Sequence, residues 1–114
     1  MHELGIVVHI IRTVQASAEE NNIHNVKKIC IIAGELCGAV PQFLKKLFPV
    51  AIHENQMFSE CELAVETEVA VANCKSCGNS FEVTKKKGVC PYCHESNYEV
   101  VKGTQLFIRN YEGY

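Results

Sequence analysis

The 114-residue chain has no tryptophan, only three prolines and seven glycines, and no strong charge of either sign. With hydrophobic residues at 47% and charged ones at 21%, it is neither a disordered tail nor a low-complexity linker. Eleven basic residues against thirteen acidic ones leave a formal charge of −2. That is too near neutral for a chain that works by gripping nucleic-acid phosphates or an anionic membrane. No uninterrupted apolar run reaches the roughly 18 residues needed to span a bilayer. The first residues lack the basic n-region and small-residue cleavage site of an export signal. These absences predict a soluble cytoplasmic protein, of one domain or one domain with a small appendage.

Cysteine, by contrast, is plentiful: there are seven. An odd number with no export signal argues against a disulfide framework and for metal or redox chemistry.

Hydrophobic periodicity organises the rest. Leu4, Val7, Val8, Ile11, Val14 and Ala18 form one stripe of an amphipathic helix running from His2 to about Asn22. The largely β-branched run Ile6–Ile11 leaves a strand reading open, and length favours the helix. Val26–Ala33 reads as a buried strand that stops at Gly34, with Cys30 as a small apolar core residue. After the Gly34–Gly38 turn, Pro41 suits the first turn of a second helix carrying Leu44, Leu47, Phe48, Ala51 and Ile52. Pro49 should disturb that helix, because it removes a hydrogen bond and crowds the Lys45 carbonyl. Strict alternation from Glu62 to Val71 predicts one half-buried strand, with Leu63, Val65, Thr67, Val69 and Val71 on one face and Glu62, Ala64, Glu66, Glu68 and Ala70 on the wet one. A closing strand covers about Gln105–Tyr111. The predicted fold is α+β, a small two-layer domain of a three-stranded sheet and two helices. Residues 1–72 and 101–114 build it, and residues 73–100 form an inserted four-cysteine module of zinc-ribbon type.

That module carries the strongest motif. Cys74-Lys-Ser-Cys77 and Cys90-Pro-Tyr-Cys93 are two Cys-x-x-Cys pairs separated by twelve residues. Each can fold as a tight knuckle that turns two sulfurs toward one point, and four thiolates complete the tetrahedron that zinc accepts. So short a segment has too little core to fold alone, so the metal must hold it together. Gly78 can relieve the first knuckle's backbone, and Phe81-Glu82-Val83, Lys85-Lys86-Lys87 and Val89 supply a hairpin with a solvated tip. Rubredoxin-type iron, a redox dithiol and haem attachment at Cys90-Pro-Tyr-Cys93-His94 are the rival readings. His94 is a candidate neighbour of the metal sulfurs.

Met1-His2-Glu3 opens the chain. A free terminal amine, the His2 amide nitrogen and imidazole Nδ1, and the Glu3 amide nitrogen can close a planar nitrogen square that suits Ni(II) or Cu(II). Met1-His2-Glu3-Leu4, Gly34-Glu35-Leu36-x-Gly38, and Cys-x-x-Cys-Gly followed by Cys-Pro-x-Cys-His together resemble the HypA/HybF family, the nickel-insertion accessory proteins of nickel-iron hydrogenase maturation. The resemblance runs through the chain to Leu106-Phe107-Ile108.

It implies a nickel metallochaperone with no catalytic activity. His2 is then the required nickel ligand, helped by the Met1 amine and the Glu3 backbone. Cys74, Cys77, Cys90 and Cys93 are the structural zinc ligands, and the Gly34–Gly38 turn lies near the nickel end, with Cys37 a further candidate there. Implied partners are a nickel-handling GTPase and a hydrogenase large subunit precursor, with urease as a second target in some organisms. The expected state is a monomer, with short hinges near Asn73 and Gly103 that would permit a domain-swapped dimer. Two departures from the family pattern are Pro49 within the second helix and Val40-Pro41, where Val40 offers only a backbone amide. The alternative function is a zinc-ribbon module that binds protein or nucleic acid without nickel.

Overall fold

The computed structural model describes residues 3–83 and 88–114. The Met1 and His2 ligand positions, and the Lys85–Lys87 tip, lie outside the described residues. Helix α1 spans Glu3–Glu20, strand β1 Val26–Gly34, and helix α2 Pro41–Ala51. A 3₁₀ turn at Gln56–Phe58 precedes β2 (Glu62–Glu68), β3 (Val71–Cys74), β4 (Ser80–Glu82), β5 (Tyr98–Lys102) and β6 (Leu106–Gly113). The strands form two three-stranded sheets, ordered β2-β1-β6 and β4-β3-β5.

Two compact units result. The first comprises 1–32, 38–66 and 107–114, and the second 33–37 and 67–106. The second unit is thus wider than the 73–100 expected from the cysteines alone. It recruits 67–72 and 101–106 on either side, and the distant turn 33–37.

In the first unit α1 buries Val7, Ile10, Ile11, Val14 and Ala18. Leu4, placed on the same stripe by periodicity, is 44% exposed, and Ile10 takes up the core position in its stead. Asn22 ends the helix region in a left-handed conformation at φ 58°, tolerable for Asn, and Ile23 N–H returns to the Ala18 carbonyl at 2.8 Å. Helix α2 packs against α1 and buries Leu44 and Phe48. Its first residues carry no capping side chain of their own. Instead the Glu3 carboxylate, from α1, accepts the Val40 N–H at 3.4 Å. Pro49 lies within the last turn, and the helix ends at Ala51. So close to the C-terminus, little helix remains beyond the missing hydrogen bond.

On β1, Ile29, Ile31 and Ala33 are buried, and Lys28, Cys30 and Ile32 on the alternate face are half-buried. Cys30 is therefore not in the core; period-2 geometry puts it opposite Ile29 and Ile31. Across the outer face, Arg109 Nη1 donates to both Glu66 oxygens at 3.1 and 2.9 Å.

The single strand expected over Glu62–Val71 is two. Strand β2 ends at Glu68 and β3 starts at Val71 in the other sheet. Side-chain phase inverts at the break, with Val69 40% exposed and Ala70 fully buried. The cause is a remote carboxylate: Glu35 Oε1 accepts the Ala70 N–H at 2.7 Å, and the Ala70 carbonyl accepts from Val83 N–H at 3.0 Å. With both backbone groups engaged elsewhere, residue 70 cannot extend the β2 ladder.

Candidate metal centre

Strand β3 is the spine of the second unit. It pairs antiparallel with β4 through Val71–Glu82, Ala72–Phe81 and Asn73–Ser80, and with β5 through Ala72–Val100, Asn73–Glu99 and Cys74–Tyr98. Cys74 is thus delivered by a strand end fixed on both sides. The buried cluster here is Ala72, Cys74, Phe81 and Cys90, flanked by Val83, Cys93, Tyr98 and Val100. Phe81 meets Tyr98 edge-on, with centroids 5.3 Å apart.

Two knuckles with matching backbone hydrogen bonds carry the four sulfurs. In the first, Gly78 N–H donates to the Cys74 carbonyl and Cys74 N–H to the Asn79 carbonyl, both at 2.9 Å. In the second, His94 N–H donates to the Cys90 carbonyl and Cys90 N–H to the Glu95 carbonyl, again both at 2.9 Å. Gly78 at φ 80° and His94 at φ 63° hold the same left-handed position. Glycine fills it without strain, whereas histidine does so against its side chain's preference. This gives His94 a backbone role in shaping the knuckle, and its side chain is exposed.

The Sγ atoms of Cys74, Cys77, Cys90 and Cys93 lie within 4.8 Å of one another. Cys74–Cys93 and Cys77–Cys90 are 3.5 and 3.6 Å apart. Four sulfurs around an ion at about 2.3 Å would be roughly 3.8 Å apart along each tetrahedral edge. A disulfide needs about 2.05 Å, so the spacing fits a shared ion and not a bond. Hydrogen bonds already favour negative sulfur: Cys77 N–H reaches Cys74 Sγ at 3.5 Å, and Tyr92 N–H reaches Cys90 Sγ at 3.4 Å.

Their protons are unequal in consequence. The Cys77 backbone N–H leads the effects that bring Cys74 down to about 6. At Cys93 the Glu95 backbone favours the thiolate, but burial and the sulfurs of Cys74, Cys77 and Cys90 outweigh it and push the thiol up to about 12. Negative charge accumulated on the first sulfurs holds the last proton in place. A divalent cation at the centre would remove that penalty and release the proton. The donor set therefore fits a tetrahedral thiophilic metal.

Of the other candidates, Cys37 is half-buried and stands outside this group of sulfurs. Gly34, Glu35 and Leu36 have backbone N–H groups bonded to the Gln105, Glu68 and Gly103 carbonyls at 2.9, 2.9 and 2.8 Å. A Cβ on Gly34 would stand 2.2 Å from the Gly103 oxygen, and one on Gly103 would stand 2.5 Å from Ala70 Cα. The Gly-Glu-Leu motif is a crossing of three chain segments, a role that reading Gly34–Gly38 as a simple turn missed. The signal was the pairing of two distant glycines, Gly34 and Gly103, which no local pattern exposes. His9, His24 and His53 are exposed, and no metal-ligating group besides the four cysteines is assembled among the described residues.

The comparisons with known proteins agree along the whole length. A family model described as "Hydrogenase/urease nickel incorporation, metallochaperone, hypA" matches residues 1–113. A hydrogenase maturation factor HypA from Dehalococcoides mccartyi (strain CBDB1) is 32% identical, over 98% of this chain and 93% of that protein. Its namesake from Aquifex aeolicus (strain VF5) is 30% identical, over 98% of this chain and 96% of its own. The solution structure of the Ni metallochaperone HypA from Helicobacter pylori superposes with a TM-score of 0.71 at 23% identity, covering 99% of this chain and 97% of that one. A second solution structure of a HypA protein gives 0.74 at 23%, covering 100% and 97%. At that identity the two structures establish the shared fold.

Proposed function

From the premise that this chain belongs to the HypA family of metallochaperones, we propose that it carries Ni(II) on its N-terminus and hands it on during hydrogenase maturation, with no catalysis of its own. The observation that carries this reading is the family match from residue 1 to residue 113, which takes in both candidate metal regions. Nickel is cargo here, so its site must release as well as bind. The Met1 amine, His2 amide and imidazole and Glu3 amide form such a site, because protonation of a backbone nitrogen or arrival of a competing ligand dismantles it. Engagement of the Glu3 carboxylate with Val40 N–H supports Glu3 acting through its backbone nitrogen.

Cys74, Cys77, Cys90 and Cys93 hold Zn(II), which when bound supplies cross-linking and no reactivity. Residues 73–100, inside the second unit, carry zinc binding, and residues 1–72 with 101–114 carry nickel binding, although 33–37, 67–72 and 101–106 of these group with the second unit. The receiving partners are a nickel-handling GTPase and the hydrogenase large subunit precursor. The family's description extends the role to urease. We place the protein in the cytoplasm as a monomer; separately, no helix among the described residues is long and apolar enough to cross a membrane.

Nickel titration of untagged protein, beside His2→Ala and a variant with one residue added before Met1, tests the site. Tight binding with the yellow, spin-paired spectrum of planar nickel should be lost in both variants. Equal affinity in all three would remove the N-terminal site.

A further inference from the structure

The four sulfurs of the module are not equivalent. Cys74 and Cys90 are 3% and 0% exposed and Cys93 is half-buried, whereas Cys77 stands in solvent. Their hydrogen bonds differ as well. Cys74 and Cys90 receive backbone N–H groups that the knuckles hold in place. The donor to Cys77 Sγ is the side-chain amide of Asn79, at 3.4 Å, on an exposed residue. A thiolate's attack on an oxidant depends on access and electron density, and each N–H donor withdraws some of that density. Access selects Cys77, and its donor is an exposed side chain where those of Cys74 and Cys90 are backbone groups.

We propose that Cys77 is a peroxide-reactive modification site, with Cys90 as its resolving partner, so that oxidation at one exposed sulfur opens the metal centre. The inference rests on the zinc reading of that centre. Cys77 thiolate attacks one oxygen of hydrogen peroxide; the O–O bond breaks, hydroxide leaves, and the sulfur becomes a sulfenic acid. Cys90 Sγ, 3.6 Å away, then attacks the Cys77 sulfur and expels a second hydroxide. The two thiolates together give up the two electrons that reduce the peroxide, and a Cys77–Cys90 disulfide forms. Only Cys74 and Cys93 then remain as thiolates, too few donors for a closed zinc site, so the ion departs. Thiol reductants reverse the disulfide and restore the donor set. A module whose buried cluster includes two of these sulfurs would lose order with the ion, which makes the chemistry a switch on the whole second unit.

The test uses the full-length, zinc-loaded chain. Its zinc content before oxidation checks the metal reading separately: a chain that retains no zinc defeats that reading, whatever its cysteines do. Loaded protein is then treated with hydrogen peroxide, released zinc is followed with a chromogenic chelator, and quenched samples are mapped for disulfides by mass spectrometry. The expected first product is the Cys77–Cys90 cross-link, accumulating in step with zinc release. Substoichiometric iodoacetamide should mark Cys77 ahead of the other three ligands, a readout that survives even if Cys77→Ser fails to load zinc. Asn79→Ala should speed release by about fivefold, the factor that one hydrogen bond commands. A Cys74–Cys93 cross-link forming first, even alkylation of the four sulfurs, or zinc loss without cysteine oxidation would each overturn the proposal.

Discussion

The two units hold themselves together by different means. In the first, two helices bury Val7, Ile10, Ile11, Val14, Leu44 and Phe48, with Ile29 and Ile31 from β1 and Phe58 before β2, all at 6% exposure or less. In the second, the buried cluster is Ala72, Cys74, Phe81 and Cys90, so half of it consists of sulfurs of the candidate metal centre. Apolar burial is roughly additive and survives the loss of one contributor, whereas a coordination sphere is all-or-none. The unit built on sulfur should therefore respond to chemistry, and the unit built on hydrocarbon to packing.

Metal removal is the largest test of that contrast. Structural zinc contributes on the order of 10–16 kcal/mol in small modules, more than the cluster around Phe81 can replace. Stripping zinc with a chelator should erase amide protection across residues 71–102 and leave α1, α2 and residues 26–32 of β1 protected. Uniform loss along the chain would show that the units are not separable.

The reciprocal substitution is Phe58→Ala. Phe58 is fully buried in the first unit, and truncating such a side chain costs about 3–5 kcal/mol. That is a large part of the 5–15 kcal/mol typical of a domain. Thermal unfolding of the first unit should drop accordingly while zinc content stays stoichiometric. Concurrent loss of zinc would break the comparison.

How much of this division was legible follows from the range of each signal. The Cys-x-x-Cys spacing is local, and it located all four sulfurs that the fold brings together. The 3.6-residue stripes located both helices, since periodicity is a property of consecutive residues. What stayed hidden depends on partners far along the chain. Alternation ran straight through Val69 and Ala70, because nothing within that segment reveals that Glu35 accepts the Ala70 N–H. The glycine turn concealed a crossing for the same reason: its contact, Gly103, lies 69 residues away in sequence, as 103 − 34 gives. Cys30 illustrates a smaller failure, in which a continuous apolar run does not show which of its two faces will be covered.

A medium-sized effect should come from that crossing. Gly103 combines a φ of 90° with a site where a Cβ would meet Ala70 Cα at 2.5 Å. Neither the left-handed backbone nor a backbone neighbour can yield cheaply, so Gly103→Ala should destabilise the second unit by about 2 kcal/mol. Amide exchange on the zinc-loaded chain should show faster opening at residues 67–74 and 98–105, with α1 unchanged. Equal exchange in the variant would mean that the close approach relaxes without cost.

The smallest effect sets one cysteine against the four. Cys61, just before β2, is half-buried, with its thiol 3.7 Å from the Glu62 carbonyl as a donor. Burial, assisted by the Glu62 charge, pushes it up to about 11 from an ordinary 9.0, opposite in direction to Cys74. Below pH 9 Cys61 is protonated in folded and unfolded chains alike, and its contribution to stability is fully present. Between pH 9 and 11 the unfolded chain releases this proton while the folded chain keeps it, so stability declines as pH rises through that window. Cys61→Ser carries no titrating thiol and should lose that component of the slope, a difference of roughly 2 °C in melting temperature after allowing for solvent screening. If wild type and variant melt in parallel from pH 8 to 11, this thiol is not held by burial, and the contrast between Cys61 and the four-sulfur centre narrows to coordination alone.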